Sequence, residues 1–175
     1  MLSLEQLLDE YDRCLAYTDS LWRDLPDEDV HWRPRPEFSP IGWHLGHQAS
    51  VAHFMVRNLL AAEPSLDSDM EPVMDSANPE PDRGELPPPE RIAAFRTAVA
   101  ARVHARVGDI DSGRVGAPEQ LRVVGGNLLI ALINHEYQHD EWIAEVRNRD
   151  LGHGLPSRPR SDRLTVIDGY TVLVP

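Results

Sequence analysis

Apolar residues recur at steps of three and four in four stretches of the chain, and each stretch predicts an amphipathic helix. The first follows Ser3, which makes a capping box with Gln6 three residues on. Leu4, Leu7, Leu8, Tyr11, Leu15, Thr18 and Trp22 line its stripe, and Pro26 ends it. The second is announced by Ser39-Pro40, an N-cap followed by proline at the first helical position, and runs from Ile41 to about Ala62 before Pro64 closes it. The third follows Pro87-Pro88-Pro89 and extends from Glu90 to about Val107, with Ile92, Phe95, Val99 and Val103 on one side. The fourth spans Asn127 to about Asp150, with Gly152 placed to cap its C-terminus.

The rest of the chain breaks this period. Glu63 to Pro89 is rich in proline and acidic residues and reads as a long connection, the kind that serves as a lid or a mobile loop. Gly108 to Gly126 reads as a glycine-rich crossing with one short apolar stretch, Leu121 to Val124. At the C-terminus, Asp168-Gly169 between two β-branched runs predicts a two-residue hairpin turn. The pattern therefore predicts an all-α fold, a four-helix bundle carrying a small C-terminal β-hairpin. Residues 1–155 form the bundle, with the long loop at 63–89, and residues 156–175 form the hairpin appendage that packs on it.

Composition narrows the function. The chain has 175 residues and a mass of 19.7 kDa, the size of one domain with one core. Apolar residues make up 41% of it, but no run approaches the roughly 20 needed to cross a bilayer. The first residues carry no basic n-region and no apolar h-region, so no secretory signal or membrane association is expected. A net charge of −12 and a pI near 5.0 argue against nucleic acid, whose phosphates need clustered cations. The single Cys14 can form no internal disulfide, which fits a reducing cytoplasm, and mid-helix it reads as a small core hydrophobe. Every basic side chain is arginine; Arg57 and Arg91 are candidates for holding an anionic substrate.

Eight histidines supply the candidate chemistry. His135 and His139 stand four apart on one helical face, where two imidazoles can reach one metal ion. The second helix carries His44 and His47, either of which can point inward, whereas His53 lies about 240° around the helix from His47 and reads as surface or packing. Gly46 leaves room for close approach of a neighbouring helix or a ligand. Three imidazoles from two helices would give a three-histidine site with an open position, suited to Zn²⁺, Fe²⁺ or Ni²⁺. Glu141 lies about 200° from His139 and is expected to bridge to another helix, Glu136 and Asp140 read as solvated charge, and Trp142 reads as packing.

The stretch Ser39-Pro-Ile-Gly-Trp-His-Leu-Gly-His47, the later His135-x-x-x-His139-x-Glu141 and the lead-in Asp29-Val-His-Trp-Arg-Pro34 resemble the DinB-like superfamily. The likeness is to its second subgroup, which includes the N-terminal domain of ergothioneine-type sulfoxide synthases. It covers roughly residues 3 to 150. The resemblance implies that one histidine of the second helix and two of a later helix hold a divalent metal, and alignment gives these as His47, His135 and His139. His44 and Glu141 are then candidates for supporting positions near the metal or substrate. It further implies a metal-dependent S-transferase or isomerase acting on a small molecule with a low-molecular-weight thiol such as mycothiol. A stand-alone iron-dependent oxygenase similar to the sulfoxide synthases, or a non-catalytic metal-stabilised binding module, are the alternatives. Family members often pair, so a homodimer with edge strands added across the hairpins is one expected assembly.

Overall fold

The computed structural model describes residues 2–36, 38–60, 62–78 and 82–174; residues 79–81 of the segment expected as a long connection, and the two terminal residues, lie outside the described residues. The fold is mostly helical with a C-terminal antiparallel hairpin, as the periodicity predicts. Its helices are α1 (Leu4–Trp22), α2 (Asp27–His31), α3 (Ile41–Arg57), α4 (Met70–Met74), α5 (Pro89–Asp111) and α6 (Pro118–Glu145); a π-helical turn (Val146–Asp150) continues α6. The hairpin strands are β1 (Leu164–Ile167) and β2 (Tyr170–Leu173). Residues 1–23 with 104–175 make one compact unit, residues 24–103 a second, and the division falls within α5.

In the first unit α1 packs against α6. The expected capping box forms: Gln6 N donates to Ser3 Oγ at 3.1 Å and Ser3 N donates to Gln6 Oε1 at 3.0 Å. The buried stripe of α1 is Leu4, Leu7, Tyr11, Cys14, Thr18 and Leu21. Cys14 is fully buried as the core hydrophobe the sequence suggests, and Leu15 is only half-buried. Helix α6 begins well before Asn127, so most of the expected glycine-rich crossing is helix. Ala117 takes a left-handed φ of 51° and Pro118 follows at the first helical position, which starts the helix there. Gly125 sits inside the helix where α1 and the end of α5 come close: a Cβ there would lie 3.3 Å from Ile110 Cδ1 and 3.8 Å from Leu4 Cδ2. The glycine marks a tight packing point, not a loop.

The C-terminal end follows expectation. Gly152, at φ 75°, stops the helix, with His153 N donating to Arg147 O at 3.0 Å. Asp168 and Gly169 take φ 52° and 88°, the positive values a tight hairpin turn requires, and Ile167 pairs with Tyr170. The hairpin docks on α6 through Leu173, which is buried and donates its N–H to Asn134 Oδ1 at 2.7 Å.

In the second unit α3 ends at Arg57, several residues earlier than its pattern predicts, where Asn58 Nδ2 caps the Phe54 carbonyl at 2.9 Å. The segment expected as a connection contains α4. Its apolar residues Met70 and Met74 are fully buried, and Asp67 Oδ1 accepts from Met70 N at its start. Asp67 also takes a forked pair of hydrogen bonds from Arg91, 2.8–3.0 Å long, and Arg102 bonds to Glu63 at 3.2 Å. Residues 63–74 are thus fastened to α3 and α5 of this unit.

Candidate metal centre

Helical spacing builds one half of the candidate site. On α6 the i, i+4 geometry stacks His135 and His139 with ring centroids 4.5 Å apart, and His139 is buried against the edge of Trp142, centroid to centroid 4.7 Å. Trp142 in turn meets Tyr170 of the hairpin at 6.4 Å, so it packs, as expected. One residue on from each histidine, Glu136 and Asp140 are buried, which corrects their reading as solvated charge. They face α1, where Thr18 donates its hydroxyl to Asp140 Oδ1 at 2.8 Å and lies 3.5 Å from Glu136 Oε2. A burial of two carboxylates needs such partners. Thr18 carried no sign of this role beyond its place in the apolar stripe of α1. Burial and the Asp140 charge push the Tyr17 phenol nearby up to about 12, so it stays neutral.

Glu141 lies off this face. Its carboxylate takes Arg158 Nη2 at 2.6 Å and lies 3.4 Å from the Thr171 hydroxyl, so it ties down the C-terminal segment and the hairpin. The expected bridge to another helix is instead a bridge to the chain's own tail.

The second unit supplies His44 and His47, both buried on α3. His44 meets Trp43 edge-on at 5.4 Å. His47 lies flat against Trp43, centroids 4.6 Å apart and planes within 10°, and the Arg83 guanidinium stands over that indole at 4.3 Å. His47 Nδ1 is 2.7 Å from the Met74 carbonyl. A carbonyl can only accept, so Nδ1 carries the proton and the lone pair of the neutral ring is on Nε2. Burial holds the His47 pKa below its ordinary value and so favours that neutral form, against the opposing pull of the Met74 carbonyl. An imidazole whose far nitrogen donates to a backbone carbonyl is the arrangement of a metal-ligating histidine. His53 is packing, not surface: it is 1% exposed, accepts from Leu66 N at 3.2 Å and meets Phe95 edge-on.

His47, His135 and His139 make a group that could hold one metal ion, each offering a single ring nitrogen. The donor set fits a divalent ion: three imidazoles, one with its tautomer already fixed by a carbonyl. Beside His47, the second unit has a cavity of about 450 Å³ lined by Val51, Phe54, Met55, Met74, Arg57 and Glu71 among others. Phe54 is 65% exposed at this cavity, an unusual position for a large apolar ring. Arg57 is engaged with Glu71 at 2.6 Å and Arg91 with Asp67, so each arginine considered for an anionic substrate already holds a carboxylate. No helix is long and apolar enough to cross a membrane among the described residues.

A search of curated proteins finds no match. The family model of the DinB superfamily matches residues 10–143, a span that runs from α1 to about one turn past His139 and includes all three histidines.

Proposed function

Because the chain belongs to the DinB superfamily, we propose that it is a divalent-metal-dependent enzyme in which His47, His135 and His139 hold the ion and a low-molecular-weight thiol reacts with a small electrophile. The three-histidine group carries this reading. Three neutral imidazoles would leave a bound divalent ion its full charge, and such an ion would supply stabilisation of a thiolate or hydroxide near neutral pH. Imidazole donors suit Zn²⁺, Fe²⁺ or Ni²⁺. The chain's own part is to fix the donors and shelter the reactants. Met74 holds His47 in its ligating tautomer, the α6 spacing holds the other two rings together, and the cavity beside His47 gives a small substrate an apolar wall at Val51, Phe54 and Met55. The reaction class is S-transfer or isomerisation with a low-molecular-weight thiol such as mycothiol.

A cavity of about 450 Å³ against one of the proposed ligands gives room for a small substrate beside the metal, and this supports the enzyme reading. The test begins with metal content after purification without a nickel column. Wild-type protein is expected to retain close to one divalent ion per chain, and His47→Ala and His139→Ala to lose it. Undiminished metal in both variants defeats the assignment. The metal-loaded protein is then given mycothiol and a small electrophile; consumption of the electrophile is expected, with matching loss of the thiol if the reaction is S-transfer and none if it is isomerisation. Oxygen uptake that requires Fe²⁺ and a thiol assigns the sulfoxide-synthase-like reaction instead.

A further inference from the structure

The segment between α3 and α5 has a role that its composition conceals. Two consecutive carbonyls at the end of α4 accept from two rings of α3: Val73 O takes the Trp43 indole N–H at 3.0 Å, and Met74 O takes His47 Nδ1–H at 2.7 Å. The side chain of Met74, whose carbonyl makes the second of these bonds, lies over the facing turn of α3. Gly46 is at that point. A Cβ built on it would stand 2.3 Å from Met74 Sδ and 2.5 Å from Cε, closer than real Cβ contacts come, and 3.0 Å from Cγ, so the Met74 side chain would have to move. Met74 is fully buried and also lines the cavity beside His47, so an added Cβ would displace its thioether from the place it fills.

We propose that Gly46 and Met74 are positioning residues: the bare Cα of Gly46 lets α4 seat its last carbonyl on His47, and this seat sets the ring's tautomer and aim for metal. The inference rests on the reading of His47 as a metal ligand. The tautomer, however, belongs to the protein alone. A neutral imidazole in a site with no acceptor near Nδ1 is free to carry its proton on either nitrogen, and only a proton on Nδ1 leaves Nε2 as the donor atom. The stack of Arg83 on Trp43 and Trp43 on His47 completes the seat by limiting rotation of the imidazole plane. Losing an outer partner of this type weakens metal binding by about 10- to 100-fold.

The experiment has two readouts. The first is the tautomer of His47 in the metal-free protein, from the ¹⁵N shifts of labelled histidine, assigned by comparison with His47→Ala. The second is Zn²⁺ affinity by competition with a chromophoric chelator. Wild type is expected to show the proton on Nδ1. Gly46→Ala is expected to shift the population toward the Nε2–H form and to weaken Zn²⁺ binding about 10- to 100-fold. Met74→Ala removes Cγ, Sδ and Cε, the three atoms a Cβ at position 46 would strike, so the double variant Gly46→Ala/Met74→Ala is expected to recover both the tautomer and most of the affinity. A merely structural role for the pair would lower the melting temperature without changing the tautomer. Trp43→Phe, which keeps the ring against His47 but deletes the donor to Val73, gives a smaller loss of affinity and serves if Gly46→Ala does not fold.

Wild type with its proton on Nε2 overturns the proposal whatever the metal does. So does a folded Gly46→Ala with unchanged tautomer and affinity. Wild type that shows the Nδ1–H form yet binds no Zn²⁺ overturns the metal reading and leaves the seat in place, so the two failures are distinct.

Discussion

The two sources of histidine are built by different physics. On α6 the pair His135 and His139 follows from one local rule, the period of the helix, and the rings meet at 4.5 Å with no help from distant chain. What α6 requires is a firm mount, which α1 supplies through Leu7, Cys14, Thr18 and Leu21. On α3 the local rule decides little: it leaves His44 and His47 equally inward-facing. There the choice of nitrogen is made by a carbonyl 27 residues further along, at Met74. One half is robust to anything that leaves a helix intact, the other depends on a single close approach. Mutation should separate them.

The largest effect belongs to the mount of α6. Leu7 is 1% exposed, and Leu7→Ala should destabilise the protein by about 2–5 kcal/mol through lost burial and the cavity left behind. The check is the urea midpoint at unchanged m-value, with the His47 tautomer unaffected in the folded fraction. Thr18→Val comes next. It keeps the volume but deletes the donor to Asp140 Oδ1, one hydrogen bond to a carboxylate that is fully buried; a loss of about 1–3 kcal/mol is expected by the same measurement. If Thr18→Val is neutral, the buried acids draw their stability from other partners and the α1 mount is apolar only.

Much of this was legible in the chain before any coordinates. The Ser3–Gln6 box, the α6 histidine spacing and the Asp168-Gly169 turn are short-range codes, and each appears as read. Where reading failed, the deciding contact was long-range. Gly125 and Gly126 suggest a loop by composition, but they lie in a helix packed so closely that a Cβ on either would come within 4 Å of Leu4 and of Ile110 or Leu7. Glu136 and Asp140 look solvated by charge, but Thr18 waits across the helix pair. Met70 and Met74 are hidden among acids and prolines, and nothing in their own neighbourhood announces that they are fully buried. The family likeness could point to His47 over His44; only the Met74 carbonyl gives a physical reason for it.

Acid should act on the second unit, with a sign fixed by burial. Burial, aided by the Arg102 and Arg57 charges, holds the His53 pKa below its ordinary value of 6.5. A depressed histidine is neutral in the fold and protonates more readily in the unfolded chain, so the unfolded state binds more protons as pH falls below 6.5. Stability of the metal-free protein should therefore be full above that value and decline from there toward the lower folded pKa. Urea midpoints at successive pH values check this, and His53→Asn, which keeps an acceptor for Leu66 N, should flatten the decline. A decline equally steep in His53→Asn would assign the acid sensitivity elsewhere.

The smallest effect sharpens the contrast most, because it repeats the same substitution in the other setting. Gly125→Ala places its Cβ 3.3 Å from Ile110 Cδ1 and 3.8 Å from Leu4 Cδ2, both terminal methyls that can yield by a few tenths of an ångström. Alanine also relieves the entropic weakness of glycine inside a helix, a gain of roughly 1 kcal/mol. The two terms oppose each other, so stability should stay within about 1 kcal/mol of wild type. Zn²⁺ affinity should not move, since α6 carries its histidines by helical period alone. Gly46→Ala, by contrast, meets a sulfur at 2.3 Å and with it the residue whose carbonyl holds His47. If the two alanines prove equally harmless to metal binding, the distinction between a locally coded donor pair and a donor set from a distance dissolves, and both helices carry their imidazoles in the same way.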